Sequence, residues 1–291
     1  MTGSLVPGTF RLSLWYQVPL FLTLFLAFLP TTYSNESFYS SKHFDLQSSL
    51  ALGKARILGK KIEKSYEFLQ RMLSSRKSTG NQRPTILILP DQKAFFQQAG
   101  QDNTDTTSLG GYFNSNNNRI VTWARPDEAE TLDVIVHEMT HLLLKARIPD
   151  PPLWLNEGLA EYLSQGTVAF GKLRAGKANA GGHGAAFLQA AGNRTLIPLA
   201  QLLSLTKYPE ARRDVFYAES WALVFYLWEG EHGKFQKKFR NYVQALADRK
   251  DGFTQFRVLF GDPSRFQRKW NKEMKKRAKW GTKSTQSVPN L

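Results

Sequence analysis

The chain has no cysteine. That excludes disulfides, thiolate metal sites, a cysteine nucleophile and a bacterial lipoprotein anchor at once. Histidine is nearly as scarce, with five in 291 residues, at positions 43, 137, 141, 183 and 232. Any metal must therefore be held by His, Asp or Glu, and two His four positions apart stand out in so small a set. Acidic residues are in deficit, 24 Asp and Glu against 39 Lys and Arg, for a net charge of +15. Such a charge favours an anionic partner without choosing among nucleic acid, a membrane surface and a cell-envelope polymer. A hydrophobic content of 42% argues against general disorder, and the length has room for one large or two small domains.

The first residues read as targeting rather than fold. Arg11 precedes an uncharged apolar run over residues 12–29, and Pro30 and a polar stretch follow it. This is the layout of a secretory signal peptide, with Thr32 and Ser34 as small residues for cleavage. The run is slightly long for a signal core and slightly short for a spanning helix of about 20 residues, so an uncleaved membrane anchor is the second reading. Either one sends the remainder out of the cytoplasm, secreted, periplasmic or membrane-anchored. Asn35-Glu36-Ser37 and Asn193-Arg194-Thr195 fit the N-glycosylation pattern.

Beyond the targeting segment, residues 1–34, the pattern predicts an α+β chain. Apolar residues from Leu46 to Leu73 recur at helical spacing, so residues 35–82 are expected to hold one long amphipathic helix. TILIL reads as a buried strand and Lys93 to Gln98 as a short helix. The turn-rich stretch 100–118, with GGYF and NSNNN, reads as a loop and hairpin leading into a strand over 119–125. Pro126 opens a helix whose first turn carries Asp127, Glu128 and Glu130, where acids complement the helix dipole. A second helix follows RIPDPP, and helical patterns lie at about 197–204, 214–229 and 233–248. The glycine- and alanine-rich segment 166–192 is expected to be mobile. One domain over 83–280 is expected, with a small mixed or antiparallel sheet and a basic, mainly helical C-terminal portion. Residues 281–291 read as a disordered tail.

The helix after Pro126 contains His137-Glu138-Met139-Thr140-His141. Residues four apart leave the same face of a helix, so both imidazoles can grip one ion. Glu138 is rotated about 100° from His137, beside the metal without ligating it, where a carboxylate can take a proton from activated water. Neighbouring Leu132, Ile135, Val136, Leu142 and Leu143 make this a buried helix, in which unpartnered polar groups are costly. HExxH also arises by chance, so a third ligand must decide. Sixteen residues beyond His141, Glu157 opens a second helix and would complete a His, His, Glu set. Glu161, one turn on, can accept a hydrogen bond from a ligand His and fix its tautomer. Without the first motif, Glu157 and Glu161 would read as solvated surface carboxylates.

The run Trp154-Leu155-Asn156-Glu157-Gly158-Leu159-Ala160-Glu161-Tyr162 resembles the gluzincins, specifically the peptidase MA-like group, in which HExxH is followed by W-L-N-E-G-x-A-x-Y. The resemblance implies a zincin-like fold, one Zn²⁺ as cofactor, Glu157 as third ligand and a peptide or protein substrate. FYAESWALVFYLWE resembles the helix that opens with a catalytic Tyr in related aminopeptidases, which implies that Tyr217 stabilises the oxyanion. It also implies that the strand before the active helix, residues 119–125, pairs with extended substrate. No GxMEN signature for a free amino terminus is present.

Other histidines are set aside: His183 reads as solvated within AGGHGAA, and His43 and His232 carry no motif. Between Gly233 and Lys283 there are 16 Lys and Arg against 4 Asp and Glu, interleaved with Phe239, Tyr242, Phe256, Trp270 and Trp280. Stacking aromatics on a basic surface would suit nucleic acid. The favoured reading packs the rings inward and leaves a basic face for an anionic envelope polymer or lipid surface, with nucleic acid disfavoured for an exported protein. The expectation is a zinc-dependent hydrolase of peptide bonds. Its alternative is a non-catalytic, zinc-containing envelope-binding or scaffold protein.

Overall fold

Main-chain pairing, more than local propensity, decides the N-terminal half. The computed structural model describes residues 36–73, 83–104, 110–169, 172–174 and 182–284. Strands β1 (Ser37–Ser40) and β2 (Asp45–Ser48) precede helix α1 (Leu52–Met72), and β3 (Thr85–Leu89), α2 (Gln92–Gln101), β4 (Gly111–Asn114) and β5 (Arg119–Trp123) follow. The five strands form one sheet in the order β1-β2-β3-β5-β4. The two central pairings, β2 with β3 and β3 with β5, are parallel, and the two outer ones are antiparallel. The sheet is therefore mixed, and the fold is α+β.

The helix expected from Leu46 begins at Leu52 instead. Leu46 belongs to β2 and lies opposite Ile86 of β3. Its burial suits a strand period as well as a helical one, and ladder hydrogen bonds on both sides outweigh the helical option. Residues 37–48 are thus part of the sheet. Alternation along β3 serves two cores: Ile86 and Ile88 face the main one, while Leu87 and Leu89 pack with Phe95 and Ala99 of α2. Strand β5 is interior, between β3 and β4, so its main chain is already paired on both sides. This corrects the expectation that residues 119–125 meet substrate, because the edge on that side of the sheet is β4.

The remainder is mostly helical. Helices α3 (Glu128–Arg147) and α4 (Leu153–Ser164) precede a short hairpin of β6 (Thr167–Ala169) and β7 (Lys172–Arg174). Next come α5 (Gly182–Asn193), α6 (Leu199–Ser204), α7 (Arg213–Glu229), α8 (Gln236–Ala247), α9 (Gly252–Phe260) and α10 (Pro263–Ser284). Part of the segment expected to be mobile is therefore regular, and residues 175–181 lie outside the described residues. Gly184, Phe187 and Ala190 are buried as α5 packs on α7. Phe239, Tyr242, Phe256 and Trp270 are all buried, which removes them as stacking platforms. The side chain of Trp280, the apolar run 12–29 and residues 285–291 lie outside the described residues. Among the described residues no helix is long and apolar enough to cross a membrane.

Helix α7 is the hub. From Ala218 through Leu227 every residue is buried, as expected of a helix enclosed by others. Helix α4, which packs on it, buries Trp154, Leu155, Leu159, Tyr162 and Leu163. The two helices meet where Gly158 lies against the Ser220 backbone, and the Tyr162 hydroxyl donates to Glu229 at 2.6 Å. A Cβ on Gly158 would overlap the Ser220 carbonyl, with its carbonyl carbon at 2.7 Å. Gly158→Ala should force the helices apart and cost about 1–3 kcal/mol in chemical denaturation, despite alanine's better helix propensity. A variant as stable as the wild type would show that this contact relaxes freely.

Candidate metal centre

Asp127 caps α3 by accepting from the Ala129 N–H at 2.8 Å, and Glu128 and Glu130 occupy the first turn. Three turns of this helix then carry His137, Glu138 and His141 to the floor of a cleft of about 1120 Å³. The turn through Pro149–Pro152 reverses the chain, so that α4 delivers Asn156 and Glu157 to the same cleft. Edge strand β4 lines it with Gly111, Tyr112 and Phe113. Gly111 has no room for a side chain, since a Cβ would meet Val134 of α3 at 2.6 Å and the Val121 carbonyl at 3.0 Å. The arrangement lets β4 and α3 approach closely, and Arg125 secures the strand's entry by donating to the Gly110 carbonyl at 2.7 Å.

The polar atoms of this cluster divide cleanly into engaged and convergent ones. His137 and His141 sit with ring centroids 4.7 Å apart at 83°. Their Nε2 atoms lie 3.7 and 3.8 Å from Glu157 Oε2. Those distances are too long for hydrogen bonds, and close to the ~3.3 Å expected between donors about 2.0–2.1 Å from one tetrahedral ion. The other nitrogens face away. His141 Nδ1 lies 3.1 Å from Asn156 Oδ1, and His137 Nδ1 lies 3.4 Å from Glu161 Oε1. Nδ1–H donation fixes the tautomer that leaves Nε2 free to ligate. Glu157 Oε1 accepts from Asn156 Nδ2 at 3.1 Å and from the Tyr208 hydroxyl at 2.8 Å. One oxygen of a nearly inaccessible carboxylate is thus satisfied twice, and the other points at two imidazole nitrogens. His137, His141 and Glu157 are a set that can hold a metal ion.

Glu138 is buried and lines the cleft beside them. Glu161 sits between two imidazoles: burial pushes its carboxyl up, but the His183 hydrogen bond at 2.7 Å and the His137 and His183 charges outweigh it and hold it low. His183, set aside on the sequence, is therefore linked through Glu161 to His137. Tyr217 also lines the cleft, with its ring stacked on that of Tyr208 at 6.1 Å and on that of His183 at 6.5 Å. Burial and then the Glu157 charge push its phenol up to about 12, so it stays a hydrogen-bond donor at neutral pH. Burial and the same carboxylate push the Tyr208 phenol up further.

Every site residue expected from the sequence lies in or directly behind this cleft, and three further residues join them. Asn156 stands inside the nine-residue motif, where its amide could have been read as a partner for both His141 and Glu157. Tyr208 comes from the loop before α7 and His183 from α5, and neither carries a local signature. His43 stacks on Tyr66 and bonds Glu63 far along the chain, and His232 occupies a left-handed turn at φ 60°. No protein-family model matches the chain, and no curated protein matches it in sequence.

Two outcomes follow from this geometry. Asn156→Ala and Tyr208→Phe each remove a group that orients Glu157, and each should weaken metal binding about 10-fold or more, read by competition of Zn²⁺ with a chromophoric chelator. Unchanged affinity in both would mean that Glu157 is held by other contacts. Glu219, wholly buried on α7, sets a pH dependence. Burial pushes its carboxyl up to about 8, against a weaker pull from Arg212 and from the Ile197 N–H, which falls short of hydrogen-bond geometry. The unfolded chain loses that proton near the ordinary 4.5. The folded state therefore binds more protons between those values, and stability falls as pH rises through the window. Glu219→Gln should flatten the slope by on the order of 1 kcal/mol per pH unit, measured by denaturation from pH 5 to 8.

Proposed function

We propose that the protein is a zinc-dependent peptidase of gluzincin type, acting on extended peptide segments. The observation that carries this reading is the convergence of His137 Nε2, His141 Nε2 and Glu157 Oε2, with every other polar atom of Asn156, Glu157 and the two imidazoles turned to a partner. Two imidazoles and one carboxylate, without thiolate, suit Zn²⁺ and leave a position open. Bound there, the ion supplies a Lewis acid that polarises the scissile carbonyl and makes water acidic near neutral pH.

The chain's own residues carry the remaining steps. Glu138 takes a proton from the attacking water and returns it to the leaving amine. Its burial keeps the carboxylate out of bulk solvent, where it would be screened. Tyr217, still protonated, donates to the oxygen that gains charge as the carbonyl becomes tetrahedral. Among the described residues strand β4 has no neighbour on its outer edge, beside His137 and His141 in the cleft, so an extended peptide can add to the sheet there by main-chain hydrogen bonds. Glu161 and His183 hold His137 in place from behind.

The test combines metal analysis with cleavage of a mixed peptide library followed by mass spectrometry. Wild-type protein should bind one Zn²⁺ and cleave. Glu138→Gln should keep the metal and lose about 10²–10⁴-fold in kcat, the usual share of a general base. His137→Ala and Glu157→Ala should lose both metal and activity. Zinc bound with no cleavage of any peptide would sink the catalytic reading in favour of a scaffold protein.

A further inference from the structure

The cleft does not end at the metal cluster. Lys145, the Pro149–Pro152 turn, Arg249 and Lys250 line the same cleft as His141. Lys145 lies four residues beyond His141 on the same face of α3, a displacement of ~6 Å along the helix axis. Arg249 and Lys250 occupy the turn between α8 and α9, and that turn is closed rather than loose. The Arg249 N–H donates to the Leu246 carbonyl at 2.9 Å and the Lys250 N–H to that of Ala245 at 3.0 Å, with Arg249 in the left-handed region at φ 59°. Gly252 then brings α9 against Pro152, the residue that caps the ligand-bearing helix α4: a Cβ there would lie 3.2 Å from Pro152 Cγ. The basic turn is thereby tied to the segment that positions Glu157.

All three cations are exposed, and none has an ion-pair partner among the described residues. The acids flanking the turn are engaged elsewhere. Asp251 caps α9 by accepting from the Thr254 N–H at 2.7 Å, and Asp248 accepts from Gln244 Nε2 at 2.8 Å. Among the described residues Asp150 is the carboxylate that lines the cleft beside these three cations. The cleft therefore carries carboxylates, Glu138 and Glu157, beside the two imidazoles and an excess of positive charge beginning one helical turn away at Lys145. A polarity of this kind orients an occupant whose negative charge is displaced from the reacting carbonyl.

Resting on the peptidase reading above, we propose that Lys145, Arg249 and Lys250 form a carboxylate-recognising end of the substrate cleft, which selects peptides with an acid near the scissile bond. An extended peptide advances ~3.3 Å per residue, so Lys145 stands about two residues from the reacting carbonyl. The carboxylate belongs to an Asp or Glu side chain at that distance or to the free C-terminus of a short substrate.

Four peptides of one sequence test this on the full-length, zinc-loaded protein: an amidated peptide with Glu two or three residues from the cleaved bond, the same peptide with Gln, the same with Lys, and the Gln peptide with a free C-terminal acid. Both kcat/KM and binding, by fluorescence anisotropy of labelled peptides, are measured. The Glu peptide should exceed the Gln peptide by roughly 10-fold, about what three partly exposed charge pairs supply together. If the free-acid peptide shows the gain instead, the carboxylate recognised is the terminal one. Arg249→Glu/Lys250→Glu should erase or invert the ratio while melting as the wild type does, and the swap Arg249→Lys/Lys250→Arg should keep it. The ratio should also shrink at about 1 M salt, where screening reaches ~3 Å. Equal treatment of all four peptides, or a ratio untouched by the charge reversal, overturns the proposal. Because binding is read apart from turnover, absence of cleavage counts against the peptidase reading alone, and absence of charge preference counts against this one.

Discussion

A carboxylate taken out of water costs several kcal/mol unless its lone pairs find partners, and Glu157 bears that constraint for the whole molecule. Only 3% of the residue is exposed. One oxygen accepts from Asn156 and Tyr208, while the other faces two imidazole nitrogens too distant to hydrogen-bond it. A half-satisfied buried anion is expensive, and the geometry supplies one economical completion, a cation at the common centre. The positions of α3, α4 and the loop carrying Tyr208 all have to agree for that completion to exist.

The packing follows from the same requirement. Glu157 sits on a helix whose opposite side must be anchored firmly, and α4 achieves this by burying Trp154 against Tyr242 and Phe256 and by the close approach of Gly158 to Ser220. Helix α7, apolar nearly all round, is the surface on which α4 and α5 are fixed relative to one another. Because α7 also carries Tyr217 and α5 carries His183, one hub sets the distances among residues that come from α4, α5 and α7. A displacement of the hub would be felt at every one of them, since packed interiors do not deform continuously.

How much of this was legible depends on whether the signal was local. The ligand pair at His137 and His141 follows from a spacing of four on one helix, and the α3 cap at Asp127 and the α4 core residues follow from equally local rules. Glu157 was readable because the motif around it is contiguous. Tyr208 and His183 were not, because nothing within a few residues of either distinguishes a partner of a buried carboxylate from an ordinary loop Tyr or a solvated His. The strands misled for a related reason. Leu46 fits the helical repeat that continues into α1, and only its pairing with Ile86 assigns it to β2. Likewise β5 has the stronger strand sequence, yet strand order puts β4 at the edge, lining the cleft with His137 and His141, and order is a property of the whole sheet rather than of any segment.

The charge distribution ties the fold to its chemistry in a way that net charge alone conceals. An excess of +15 suggests a basic surface for any anionic partner. Much of that excess, however, lies in the helices after α7, whose aromatic residues Phe239, Tyr242, Phe256 and Trp270 turn inward and so cannot stack on bases. What brings charge to the cleft from this region is a single ordered turn, Arg249 and Lys250, held by main-chain hydrogen bonds and lining the same cleft as Lys145 of α3. Two cations on a fixed turn lining the cleft that holds His137, His141 and Glu157 are able to act on one molecule at a defined distance, whereas the same charges spread over a solvated face act only on encounter rates. The C-terminal helices therefore do two jobs with one set of residues: their apolar faces support α7, and the turn between α8 and α9 completes the wall of the cleft.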